Sequence, residues 1–172
     1  MHRIPAYIVL FLTLTLIQIF LLNNLMAGAY FCPMIYVAFI ILLPLDTPAI
    51  VLLGCALAMG ITMDMSMGIA GLNTATVLPI AFFRSNLLGM LSSHDEQRDD
   101  GIPTPKRMGQ NLYWSYLLVM IFIHHTLFFM LEALSWEHIG RTLLRILCST
   151  STTLLLVWLT GRLFTNKYST RQ

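Results

Sequence analysis

Apolar residues run almost without interruption through six stretches of the chain: Ile4 to Leu22, Ala27 to Leu45, Pro48 to Met63, Ile69 to Leu91, Leu112 to Leu134 and Leu143 to Phe164. Each is a candidate membrane span, because one helical crossing of the hydrocarbon core needs about 20 apolar residues. From Ile4 to Leu45 there is no Asp, Glu, Lys, Arg or His, which is longer than one crossing requires. The runs of Leu, Ile, Phe and Met lack the alternation of a transmembrane strand, and a backbone in lipid must satisfy its own hydrogen bonds. The pattern predicts an all-α integral membrane protein, a bundle of about six transmembrane helices forming one polytopic domain over residues 1–172. Pro44 and Pro48 exclude a continuous helix through Leu45-Asp46-Thr47, so the second and third segments join in a tight hairpin. The third has only about 16 residues, so it either crosses, stops short, or forms a re-entrant pair with the second.

Composition agrees with the pattern: 57% of residues are apolar and 10% charged, against roughly 25% charged in a soluble domain. With six crossings and a cytoplasmic N-terminus, Arg3, Arg84, Arg98, Lys106, Arg107, Arg162, Lys167 and Arg171 lie inside and Arg141 and Arg145 outside. That distribution obeys the positive-inside bias and places both termini in the cytoplasm; a re-entrant hairpin for the second and third segments leaves it unchanged. His2-Arg3, an apolar core and Ala27-Gly28-Ala29 imitate a signal peptide, but the core is longer than the usual h-region and Asn23-Asn24 intervenes. Cys32, Cys55 and Cys148 have no pair spacing and read as packing residues. Residues 92–111 form the one long polar segment, expected to be a solvated, mobile cytoplasmic linker, with partner docking as the alternative.

Few residues suggest chemistry. His124 and His125 lie mid-span with Glu132 on nearly the face of His125, which invites a metal or proton path. A zinc site needs three or four ligands and the His-Glu-x-x-His spacing is absent, so polar helix packing is the expected role. The hydroxyls of Ser149-Thr-Ser-Thr-Thr153 can bond back to the preceding turn. Met63, Met65 and Met67 imitate a soft-metal box without a Cys or His beside them. No phosphate loop, nucleophile elbow or paired carboxylates occur, Asp46 and Asp64 being expected on opposite faces of the membrane. No catalytic residue, cofactor, metal or nucleic-acid partner is expected.

Asp64 is the strongest candidate, being the single formal charge between Asp46 and Arg84. A charge at membrane depth costs about 3 kcal/mol on insertion scales. Its surroundings are small: Gly54 with Ala58 and Ala56 with Gly60 make two small-x-x-x-small pairs that let a helix approach closely. Gly68 and Gly71 can take positive φ in a tight return, with Asn73 or Thr74 as the N-cap of the next helix. The Asp64 carboxylate can then accept that helix's orphan amide protons at its positive end. A capped, buried turn and a ligand or partner contact are the two roles open to it.

The run Gly60, Asp64, Gly68, Gly71, Leu72 and Asn73, spaced Gly-x-x-x-Asp-x-x-x-Gly-x-x-Gly-Leu-Asn after a helical hairpin, resembles the rod-shape-determining protein MreD family. The resemblance implies a small, non-catalytic protein of the bacterial inner membrane that organises lateral cell-wall synthesis. It further implies work beside an MreC-like periplasmic scaffold, the actin-like MreB filament, a RodA-like glycosyltransferase and a penicillin-binding transpeptidase, with membrane lipid around it. The family's fold is similar to that of the S-components of vitamin transporters, so the alternative is a solute-binding transporter subunit. Those subunits dock through an Ala-x-x-x-Ala helix, and Tyr7 to Met26 contain no Ala or Gly. The long polar segment after Arg84 departs from the short connections of the family.

Overall fold

The computed structural model describes residues 4–24, 30–91, 101–133 and 139–169, and no strand occurs among them. α1 (Ile4–Leu16) continues as a π-helical stretch, Ile17–Leu22. A 3-10 turn (Ile35–Val37) leads into the short α2 (Ala38–Ile41), followed by α3 (Ala49–Met67), α4 (Leu72–Leu91), the one-turn α5 (Pro105–Met108), α6 (Gln110–Ala133) and α7 (Ile139–Ser169). Among the described residues, four helical stretches are long and apolar enough to cross a membrane: Ile4–Leu22, Ala49–Met67, Gln110–Ala133 and Ile139–Phe164. The chain is an all-helical membrane protein.

Two segments differ from the sequence reading. The third span does not stop at Met63: α3 runs 19 residues to Met67, about 28 Å at 1.5 Å per residue, enough for the hydrocarbon core. Neither Asp64 nor Ser66 breaks a helix, and the stop comes only at Gly68, with φ 66°. The second span is not a long helix. Its described part, from Tyr30, is irregular to Met34, and α2 is only four residues long. Met34 to Leu43 are nonetheless all buried, so this segment of short helical turns between irregular ends is the centre of the molecule, with the longer helices packed around it. A lipid-facing position would leave its amides and carbonyls unmet; enclosed by protein, they find side-chain partners.

The most extensive helix pair is α3 with α4, followed by α6 with α7 and α4 with α6. At one end of the bundle Tyr7 of α1 packs on Phe164 of α7, Tyr113 near the start of α6 faces Gly161, and Arg84 reaches the Leu43 and Pro44 carbonyls before α3. The Asp64 turn closes the opposite end. The polar segment divides: residues 92–100 lie outside the described residues, whereas 101–108 are folded. Gly101, Pro103 and Met108 are buried, and the Gly101 carbonyl accepts the Leu45 amide at 2.8 Å. The expected mobile linker is therefore, in its second half, a plug under the central segment.

Candidate functional site

Asp64 fastens both sides of the α3–α4 turn. Its main-chain carbonyl closes α3 by accepting the amides of Gly68 and of Ile69, the latter at 3.1 Å. Its carboxylate opens α4: Oδ1 accepts the Asn73 amide at 2.8 Å and Asn73 Nδ2 at 3.0 Å, while Oδ2 accepts the Thr74 amide at 3.0 Å and Thr74 Oγ1 at 2.6 Å. Since α4 begins at Leu72, these amides are its second and third, the ones an N-cap side chain satisfies. The expected cap at Asn73 or Thr74 is thus corrected. Both side chains donate to Asp64, and the cap comes from the preceding helix. Gly68 and Gly71, at φ 66° and 80°, provide the two left-handed positions the return needs.

The small residues divide between two faces. Ala56 and Gly60 are buried against α4, where a Cβ on Gly60 would stand 2.6 Å from Thr74 Cα. Gly54 and Ala58 face outward, and nothing lies within 4 Å of a Cβ built on Gly54. Gly54 to Gly60 is therefore not one exposed face.

From Asp64 a polar chain runs inward. Asn73 turns its Oδ1 to the Tyr36 hydroxyl at 2.8 Å, and that hydroxyl lies 3.1 Å from His124 Nε2. The single phenolic proton goes to Asn73, so Nε2 carries hydrogen and donates to Tyr36. His124 Nδ1 is then a bare acceptor, buried without a partner. His125 has the opposite tautomer. Its Nδ1 faces the Ile121 carbonyl at 2.9 Å and must donate, so Nε2 accepts from Thr153 Oγ1 at 3.2 Å. Thr153 Oγ1 in turn accepts the Met34 amide at 3.0 Å.

The same logic supplies the rest of the central segment. Ser149 Oγ accepts the Cys32 amide at 3.1 Å; Gln18 accepts the Ile35 amide at 2.7 Å and donates to the Pro33 carbonyl at 3.2 Å. Tyr116 donates to the Ile41 carbonyl at 3.0 Å, and the buried Arg84 donates to Tyr116 and to the Leu43 and Pro44 carbonyls. A buried guanidinium thus serves carbonyl groups and a phenol.

Several sequence candidates do not come together. Glu132 turns to Arg145, 2.7 Å away, rather than toward His125. Met63 is buried and Met65 exposed, on different faces of α3. Among the described residues no three of His, Cys, Asp and Glu converge as a metal site. Ser151 and Thr152 do bond back to the Leu147 and Cys148 carbonyls, but Ser149 and Thr153 are spent on the central segment instead. Sequence reasoning overlooked Gln18, Tyr36 and Tyr116. The signal for Gln18 was an amide inside an otherwise apolar span; the two tyrosines carried none. No family model, curated protein or solved structure matches this chain.

Proposed function

We propose that this chain is a non-catalytic scaffold of the bacterial inner membrane, acting in the rod complex that directs lateral peptidoglycan synthesis, as its resemblance to the MreD family implies. The observation that carries the reading is the fate of the Gly60–Asn73 run. Its residues lock one helical hairpin, which leaves the Gly54–Ala58 pair of α3 facing outward. Helix association in lipid depends on close approach at small residues, so that pair is the surface offered to a partner helix such as that of an MreC-like protein. In this reading the chain passes between the two ends of the bundle six times, counting the central segment and α4. Both termini are cytoplasmic, at the end where Arg84, Lys106, Arg107 and Arg162 lie.

Depletion in a rod-shaped bacterium tests the function: cells should round or swell. Gly54→Leu combined with Ala58→Leu should weaken recovery of the MreC-like partner while leaving the protein inserted, because no described atom occupies the space beside Gly54. Unchanged recovery would remove this face from the proposal. Normal cell shape with lost uptake of a vitamin would replace the scaffold with a transporter subunit.

A further inference from the structure

α7 carries two arginines whose guanidinium groups lie over aromatic rings, and they differ in one respect. Arg145 stands 4.5 Å over Phe129 and is paired with Glu132 of α6 at 2.7 Å. Arg162 stands 5.0 Å over Trp158, is exposed, and has no carboxylate beside it among the described residues. The Trp158 ring stacks in turn on Trp114, with centroids 6.2 Å apart and planes 30° from parallel. An exposed arginine, a half-buried indole and an exposed indole, with no anion among the described residues, come together where α7 meets the start of α6.

Its depth is set twice. Trp114 is four residues into α6, about 6 Å along its axis, and Arg162 lies in the last turn of the Ile139–Phe164 span. Both helices therefore place the stack at a membrane boundary, the level at which tryptophan rings settle among headgroups. Toward the bilayer centre the same helices expose Leu118, Leu155 and Leu159, an apolar path for an acyl chain below the cation.

We propose that Arg162, with Trp158 and Trp114, binds an anionic phospholipid, the guanidinium meeting the headgroup phosphate and the indoles flanking it. Charge complementarity identifies the occupant. The equivalent arginine at the other boundary has an internal carboxylate, and here the counter-anion comes from the membrane. Arginine suits phosphate through its planar donor fork, and its place over the Trp158 ring restricts where that fork can go. This inference stands independently of the scaffold reading.

Native mass spectrometry of the full chain, extracted from nanodiscs of phosphatidylglycerol and phosphatidylethanolamine, tests it. The protein should retain phosphatidylglycerol in preference, and Arg162→Gln should lower that retention roughly five-fold, with Trp158→Leu acting in the same direction. Arg162→Lys, which keeps the charge and loses the fork, should fall between. Lys106→Gln, which removes an exposed cation that lies over neither indole, should change little. Inorganic phosphate should not displace the lipid. Retention by Arg162→Gln equal to wild type, an equal loss in Lys106→Gln, equal retention of phosphatidylethanolamine, or displacement by phosphate would each overturn the site.

Discussion

At the scale of single residues, Asp64 acts through both of its acceptor groups, the carbonyl ending one helix and the carboxylate starting the next. Asp64→Asn keeps one oxygen but turns an NH2 toward donors on the other side, so part of the cap is lost. Asp64→Leu orphans both amides, at about 1 to 3 kcal/mol for each. Thermal melting in detergent should rank wild type above Asn and Asn above Leu; equal melting of all three would mean that water reaches the turn and substitutes for the carboxylate. Gly60 and Gly54 form a second residue-level contrast. A methyl on Gly60 meets Thr74 backbone at 2.6 Å, and backbone cannot move aside as a side chain can. Gly60→Ala should therefore separate α3 from α4 and lower stability by about 1 to 3 kcal/mol, the usual range for overpacking. Gly54→Ala should be near neutral in the same assay.

At the scale of elements, the central segment depends on side chains from the π-helical stretch after α1 and from α4, α6 and α7 for bonds that a helix would make within itself. Thr153→Val preserves shape and removes the acceptor of the Met34 amide together with the donor to His125. It should cost about 1 to 3 kcal/mol, and more than Ser151→Ala, whose hydroxyl merely bonds back to its own helix. Melting of the two variants side by side decides this. The long helices were readable because an uninterrupted apolar run already implies lipid, and the Asp64 turn was readable because a lone carboxylate before two glycines has few other uses. The central segment was not. Its composition is that of a span, and hydropathy reports that a segment is buried but not whether lipid or protein surrounds it. What distinguishes them here is a set of partners far away in sequence, such as Ser149 for Cys32 and Thr153 for Met34. The N-cap was misplaced for a related reason: local rules seek the cap in the helix's own flank, and the preceding helix supplied it.

At the scale of the whole molecule, the starts of α1, α3 and α6 and the ends of α4 and α7 share one end of the bundle. Reporters inserted near Gly101 and fused after Gln172 should consequently read the same side, cytoplasmic, and one near Ser135 should read external; an external C-terminus would overturn the proposed topology. The long-range bonds of the central segment also set an order in time. The Met34 amide waits for an oxygen that enters the chain 119 residues later. Until α7 leaves the ribosome, the Cys32 and Met34 amides lack the oxygens that meet them in the folded protein, and lipid supplies no substitute. A nascent chain truncated before Ile139 should be cleared by membrane proteases, and supplying α7 as a separate peptide should prolong its lifetime.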